Sequence, residues 1–123
     1  RNHLEYAKRK NAIEGKIDDE KICDLIKNAK EYIPDRVEYY SKIMNLKYGR
    51  ITITSAKTRF GSCSSKGNIS FSYRLMLYPE AAREYVVVHE LAHLLEMNHS
   101  ERFYKIIESV LPDYKERKKL LKK

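Results

Sequence analysis

The sequence predicts an α+β fold, because segments with helical periodicity enclose a short region with the periodicity of β-strands. In the middle of the chain, apolar and polar residues alternate in RITITS, residues 50–55, and again in NISFSYRLML, residues 68–77. Before and after this region, apolar residues recur every three to four positions. The order of helices, a small sheet and further helices is typical of α+β folds and differs from the regular alternation of α/β folds.

Two helices are predicted before the sheet. In residues 17–33 the apolar side chains fall near helical spacing, with Asp18 or Asp19 as the N-cap. Pro34 is predicted to lie in the first turn of a second helix, where proline is tolerated, and Gly49 is predicted to end that helix.

The sheet is predicted to be small and antiparallel, with about three strands. Residues 50–55 and 68–77 are interpreted as antiparallel neighbours on either side of the Gly/Ser-rich turn region TRFGSCSSKGN, residues 58–68. The strand around Ile69–Leu75 is the one expected at the sheet edge, where an extended substrate would pair with it.

Three helices are predicted after the sheet. The longest runs from about Glu80 to Met97 and is apolar nearly all round, which indicates burial. Ser100 is the predicted N-cap of the next helix, which Pro112 ends. Asp113 is the predicted N-cap of the last helix.

Length and composition indicate one domain over residues 17–123, preceded by a polar segment, residues 1–16, that is expected to be frayed or truncated. The longest apolar run, Tyr85–Val88, is far too short to span a membrane. Two cysteines, Cys23 and Cys63, do not make a disulfide framework. We therefore expect a cytoplasmic monomer without membrane association.

The net charge of the chain is +8, which favours anionic partners such as nucleotides or nucleic acid. Much of the excess lies in YKERKKLLKK, residues 114–123, which is interpreted as a basic terminal helix. Basic helices of this kind are also common on solvent-exposed protein surfaces, so the charge alone does not indicate a particular function.

The stretch HELAHLLEMNH, residues 89–99, contains three of the four histidines of the chain. Residues four apart lie on the same face of a helix, so His89 and His93 can present two imidazoles to one metal ion. Zinc is the natural occupant of such a site. Glu90 is rotated by about 100° from His89 and therefore flanks the metal, where it can act as the general base. This is the HExxH arrangement of zinc-dependent hydrolases.

A catalytic zinc ion usually has a third protein ligand, and His99 is the nearest candidate. It can reach the metal only if the helix ends by about Met97 and the chain folds back, with Asn98 as the predicted left-handed exit. The histidine spacing equals that of metzincins, although Glu96 stands where those enzymes have glycine. A carboxylate from the next helix is the alternative third ligand, either Glu101 or Glu108.

Other polar residues are candidates for contacts with a substrate. The turn region after residue 58 is expected to line the cleft, and its alternative is a glycine-tolerant turn with a buried cysteine. The predicted substrate-binding residues are Arg59, Gly61, Ser62, Cys63, Tyr73 and Arg102. The candidate stabilisers of a transition state are Tyr73, Arg74, Tyr85, Arg102 and Tyr104.

Two segments carry a resemblance to a known family. KTRFGSCSSKGNISFSYRLMLYP followed by YVVVHELAHLLEMNHSERFY resembles the YgjP-like metal-dependent hydrolase domain, which is related to SprT-like and minigluzincin metallopeptidases. The resemblance runs from about Glu31 to the C-terminus, and Phe60 stands where the family usually has tryptophan. It implies a compact zincin fold with one zinc ion per chain. The ligands it implies are His89, His93 and His99, and Glu90 is the implied general base.

The expected function is a zinc metallopeptidase that cleaves a peptide or an unfolded protein through a water activated by Glu90. Some family members are described as UTP pyrophosphatases, so a metal-dependent nucleotide pyrophosphatase is the alternative, with Arg59 and Lys66 as phosphate-binding residues. A non-enzymatic nucleic-acid-binding module is a third hypothesis, which rests on the positive charge and the tyrosines.

Overall fold

The computed structural model describes residues 19–121. The predicted polar segment 1–16 and the single-domain boundary at residue 17 lie outside the described residues. In chain order the elements are α1 (Asp19–Met44), β1 (Ile51–Thr54), β2 (Gly61–Cys63), β3 (Ile69–Ser72), a 3₁₀ helix (Tyr73–Leu77), α2 (Glu80–Ala92), α3 (Glu101–Val110) and α4 (Tyr114–Lys119). The prediction of an α+β fold is confirmed.

Helix α1 is one continuous helix, so the prediction of two helices divided at Pro34 is wrong. A proline inside a helix removes one backbone hydrogen bond and costs about 3 kcal/mol. Ile33 and Val37 are fully buried on either side of it, and burying an aliphatic side chain of this size contributes about 2 kcal/mol. Packing on both sides of Pro34 therefore offsets its cost. The helix also ends earlier than Gly49, at Met44, and the next residue, Asn45, adopts the left-handed conformation with φ 58°.

The described sheet has three strands in the order β1–β3–β2. Strand β2 pairs antiparallel with β3, whereas β1 pairs parallel with β3, so the prediction that β1 and β3 are antiparallel neighbours is wrong. The hairpin forms instead between β2 and β3, through a tight turn in which Gly67 has φ 87° and its amide donates to the Ser64 carbonyl. Strand β3 consequently lies in the centre of the sheet and not at its edge.

The core lies between the sheet and the helices α1, α2 and α3. Helix α2 is buried on most sides, as its apolar sequence predicted. Strand β3 contributes Ile69 and Phe71, and α3 contributes Phe103 and Ile107, all fully buried. Helix α2 is thereby held between the sheet and α3.

The two C-terminal helices begin close to their predicted positions. Ser100 caps α3, because its Oγ accepts a hydrogen bond from the Phe103 amide. Asp113 stands at the N-cap position of α4 but makes no capping hydrogen bond, and its carboxylate binds Arg117 instead. None of the helices in residues 19–121 is long and apolar enough to cross a membrane.

Candidate metal centre and active site

Two histidines project from the C-terminal end of α2. His89 lies in the last turn of the helix and His93 is the residue that caps it, and their ring centroids are 5.0 Å apart. The His93 Nδ1–H donates to the carbonyl oxygen of Glu96 over 3.1 Å. Because a carbonyl can only accept, this bond sets the tautomer of His93 and leaves the Nε2 lone pair free for another partner.

The chain turns back directly after His93, so the prediction that the helix ends by about Met97 is confirmed. The amides of Leu94 and Leu95 bind carbonyls three residues earlier, which tightens the last turn into 3₁₀ geometry. The predicted left-handed exit at Asn98 is wrong, because Asn45 is the one non-glycine residue with positive φ between residues 19 and 121.

This turn brings His99 to the two helical histidines. Its ring centroid lies 5.2 Å from that of His89 and 4.8 Å from that of His93. One ring nitrogen from each of the three histidines lies within 4.8 Å of the other two. In the described part of the chain, no other group of three histidine, cysteine or acidic residues could hold a metal ion. The two alternative ligands do not belong to this group of residues. Glu101 is 87% exposed and pairs with Lys105, and Glu108 is also exposed.

Phe103 of α3 lies against all three imidazoles. Its ring is stacked on His93 at 4.5 Å and meets His89 and His99 edge-on at 5.0 Å and 5.1 Å. Phe103 is fully buried, so it fixes the rings from the core side. The histidine cluster is therefore supported by apolar packing as well as by the hydrogen bond to His93.

Glu90 is the buried carboxylate beside this cluster, with only 5% of its surface exposed. Its Oε2 lies 3.3 Å from Nδ1 of His89, while its Oε1 is buried and has no hydrogen-bond partner. Burying a carboxylate oxygen without a partner costs free energy, and such atoms are rare away from functional sites. Gly61 of β2 lies directly against the Glu90 side chain.

Two adjoining cavities meet at Glu90 and His89. The first, which we call the histidine cavity, has a volume of about 280 Å³ and is lined by Gly61, Ser62, Cys63, His89, Glu90, His93, Met97 and His99. The second, which we call the apolar cavity, has a volume of about 310 Å³ and is lined by Phe60, Gly61, Tyr85, Val86, His89, Glu90, Lys118 and Leu121. Gly61, His89 and Glu90 belong to both cavities, so a bound molecule can extend from one into the other.

The electrostatics of the site favour neutral imidazole at His99. Burial lowers the pKa of His99 below its usual value, and the neighbouring His89 and His93 lower it further. The neutral imidazole is the form that binds a metal ion.

Burial also acts on the other titratable groups of the two cavities. It raises the pKa of Tyr85 to about 12, with smaller contributions from two neighbouring tyrosines and from Glu90. The pKa of the Cys63 thiol is raised by burial and then by the charge of Glu90. Tyr85 and Cys63 are therefore held in their neutral forms at neutral pH.

The structure brings three of the six predicted substrate-binding residues to the site. Gly61, Ser62 and Cys63 form β2 and line the histidine cavity. The remaining three residues line neither cavity: Arg59 is exposed, Arg102 is 81% exposed and lies 3.9 Å from Glu96, and Tyr73 is packed in the core with 3% exposure.

Sequence reasoning missed several residues of the two cavities. Met97 follows the histidine motif closely and was considered only as the end of the helix. Val86 lies one turn before Glu90, so helical spacing could have found it, whereas Tyr85 was already a candidate stabiliser of the transition state and lines the apolar cavity. No local signal points to Lys118 and Leu121, because packing of the C-terminal segment places them there.

Comparisons with known proteins include a match to a protein family. The family model for the YgjP-like metallopeptidase domain matches residues 3–123. A comparison with curated protein sequences gives no match.

Two solved structures resemble the fold. The metallopeptidase zymogen of Pyrococcus abyssi abylysin shares 27% sequence identity, with a TM-score of 0.64, and the alignment covers 71% of this chain and 89% of abylysin. The metallopeptidase zymogen of Methanocaldococcus jannaschii jannalysin shares 22% identity, with a TM-score of 0.60 and coverage of 69% and 88%. The second similarity is one of fold alone.

Proposed function

Because the chain belongs to the YgjP-like metallopeptidase domain family and is accordingly a metal-dependent peptidase, we propose that its metal is a single zinc ion held by His89, His93 and His99. Glu90 is the proposed general base. The observation that carries this proposal is the convergence of three imidazole nitrogens within 4.8 Å beside a buried carboxylate whose Oε1 has no partner.

The donor set fits zinc. Three neutral imidazoles are a common protein ligand set for catalytic zinc, which keeps a further position open. Two of the three have a hydrogen-bond partner on Nδ1, Glu90 for His89 and the Glu96 carbonyl for His93. Partners of this kind orient a ligating imidazole and present its Nε2 to the metal.

Zinc, when bound, would supply a water of lowered pKa and polarise the carbonyl of the substrate. The chain itself supplies the proton transfers. Glu90 Oε1 has no hydrogen-bond partner, so its lone pairs are available to accept a proton from the attacking water, which Glu90 would then deliver to the leaving amine nitrogen. Oε2, beside Nδ1 of His89, holds the carboxylate in place.

The sheet supplies an edge for an extended peptide, but it is not the predicted one. Strand β3 is central, so the expectation that Ile69–Leu75 forms the edge is wrong. Strand β2 is the edge beside the histidine cavity. Phe60 and Ser64, at the two ends of β2, form backbone hydrogen bonds with the other strand of the hairpin. Because successive residues of a strand direct their backbone groups to opposite sides, those of Gly61 and Cys63 point away from β3. These groups can pair with the backbone of a peptide substrate.

The substrate class that this supports is a peptide or an unfolded protein. The two alternatives, a nucleotide pyrophosphatase and a nucleic-acid-binding module, are not favoured by the family match or by the structural similarity. Arg59 and Lys66, the expected phosphate-binding residues, line neither cavity.

Zinc content and peptide cleavage, measured on the same variants, test the proposal. Glu90→Gln should retain about one zinc ion per chain and lose cleavage of a peptide library by at least about a thousandfold. Glu101→Gln, an exposed change of the same chemistry, should retain both. Cleavage by Glu90→Gln at the wild-type rate would contradict the role of Glu90.

The third ligand is tested in the same way. His99→Ala should lower the zinc affinity strongly, because it removes one of three ligands, whereas Glu108→Ala should not change it. Equal zinc affinity in wild type and His99→Ala would show that His99 is not a ligand.

A further inference from the structure

We propose that the apolar cavity and a basic groove next to it form a specificity site for a peptide in which a large apolar residue is followed by an acidic one. The groove, which we call the tyrosine–lysine groove, has a volume of about 390 Å³ and is lined by Tyr104, Tyr114, Lys115, Lys118 and Lys119. This inference rests on the proposed peptidase function and adds to it a substrate class.

The apolar cavity is suited to a large apolar side chain. Apart from His89, Glu90 and Lys118, its walls come from aromatic and aliphatic residues and from Gly61. Phe60 is held in place by an edge-to-face contact with Tyr78 at 5.0 Å. Because the cavity adjoins Glu90, a side chain bound in it belongs to a residue next to the bond that reacts.

Lys118 links this cavity to the tyrosine–lysine groove, since it lines both. Its Nζ lies 5.7 Å from the ring centroid of Tyr104, so the ammonium group is held over an aromatic face. Tyr104 and Tyr114 are stacked at 5.9 Å and form the aromatic wall of the groove. The ammonium group therefore lies where the apolar cavity and the groove meet, beside a residue whose side chain occupies the cavity.

The charge of the groove is not neutralised by its own residues. Lys119 lies 3.6 Å from Glu116, but within residues 19–121 neither Lys115 nor Lys118 forms an ion pair with a carboxylate. Two ammonium groups thus remain for a ligand. A carboxylate side chain is the complement that a peptide can bring.

A peptide fits this arrangement better than a polyanionic nucleic acid strand. A strand that followed the groove into the apolar cavity would bring phosphate groups against the buried carboxylate of Glu90. A peptide has a neutral backbone at that point and carries its negative charge only on the residue that reaches Lys118.

Matched fluorogenic peptides test the inference on the zinc-loaded full chain. The peptides carry phenylalanine followed by aspartate or by lysine, and a third carries serine in place of phenylalanine. We expect kcat/KM to be about tenfold higher for the aspartate peptide than for the lysine peptide, which corresponds to about 1.4 kcal/mol. The serine peptide should be cleaved at least about tenfold more slowly than its phenylalanine counterpart.

Charge reversal identifies the residue responsible. Lys118→Glu should abolish or invert the preference between the aspartate and lysine peptides. Lys27→Glu is the matched control, because it makes the same change on an exposed position of α1 that lines neither cavity nor the groove. It should keep the wild-type ratio of kcat/KM.

Binding without cleavage gives a second readout. With Glu90→Gln protein, fluorescence anisotropy should show tighter binding of the aspartate peptide than of the lysine peptide. Salt should weaken this preference, and the double variant with Lys118→Glu should lose it.

Equal cleavage and equal binding of the two peptides would overturn the inference and leave the proposed function standing. A wild-type protein that binds zinc and cleaves no peptide would overturn the proposed function itself. A single-stranded oligonucleotide that displaces the aspartate peptide and requires Lys118 would overturn the assignment to peptides.

Discussion

Gly61 lies so close to Glu90 that a Cβ atom at Gly61 would be 3.1 Å from the Glu90 Cγ. The same Cβ would lie 3.0 Å from the Ser70 backbone oxygen and 3.3 Å from Cδ1 of Phe71. All three distances are tighter than ordinary van der Waals contact, and two of the neighbours belong to the adjacent strand. Glycine therefore allows β2 to run directly over the buried carboxylate.

Gly61→Ala should lower kcat/KM about tenfold without loss of zinc. The added methyl group must displace Glu90 or β2 by a few tenths of an ångström, and small errors of position at a reacting group are costly. The measurement is peptide cleavage together with metal content. Ser65→Ala, in the exposed turn after β2 and lining neither cavity, is the control. Wild-type kcat/KM in Gly61→Ala would show that the close approach has no catalytic consequence.

Phe103→Leu should weaken zinc binding by about tenfold, as changes in the supporting shell of a metal site commonly do. The aromatic ring touches all three histidines, and leucine keeps the burial but loses these ring contacts. Ile107→Val is the control, because Ile107 is fully buried on the same helix and has no ring contact with the cluster. Zinc affinity is measured by competition with a chelator. Equal losses in the two variants would indicate general destabilisation of α3.

The sequence predicted those parts of the site that depend on local geometry. His89 and His93 share a face because a helix has a fixed repeat, and this holds wherever the helix packs. The return of His99 was predictable from the need for a third ligand. The way in which the chain returns was not predictable, because a tightened 3₁₀ turn and a left-handed residue at Asn98 can each reverse the chain. In the structure, backbone hydrogen bonds to the carbonyls of Leu91 and Ala92 form the 3₁₀ turn.

The parts that were missed depend on contacts between distant residues. Alternation predicts strands over residues 50–55 and 68–77, which is wrong for Tyr73–Leu77 because they form a 3₁₀ helix. It also does not say which strands pair or in which direction. The hairpin at Gly67 pairs β2 with one side of β3, and β1 pairs with the other side of β3. Continuity through Pro34 likewise depends on packing of Ile33 and Val37, which local propensity does not describe.

Arg117→Met should lower the free energy of unfolding by about 2 kcal/mol, in the range for a hydrogen bond to a charged partner. The Arg117 Nη1 lies 3.2 Å from the Glu84 Oε1, which also accepts a hydrogen bond from Tyr40 over 2.9 Å. Loss of the guanidinium leaves the largely buried Glu84 with less compensation and weakens the attachment of α4 to α2. The measurement is urea unfolding of the zinc-free protein. Lys115→Met, exposed on the same helix, should change stability by less than about 0.5 kcal/mol, and an equal effect of both changes would contradict the role of Glu84.

Tyr85→Phe should make the zinc-free protein less sensitive to alkaline pH. Tyr85 is 4% exposed and its pKa is raised to about 12, whereas an unfolded chain loses this proton near pH 10. Between these two values the folded state binds more protons than the unfolded state, so stability is complete below pH 10 and falls as the pH rises towards 12. The loss attributable to this group is about 2 kcal/mol. Denaturant unfolding at several pH values above 9 measures it.

Tyr39→Phe is the control for this prediction, because Tyr39 is 48% exposed and undergoes the same chemical change without burial. Wild type and Tyr39→Phe should lose stability in parallel as the pH rises, and Tyr85→Phe should lose less. The absorbance of phenolate supports the assignment, since Tyr85→Phe should lack one group that ionises near pH 12 in the folded protein. If all three proteins lose stability with the same slope, the hydroxyl of Tyr85 does not carry the alkaline sensitivity.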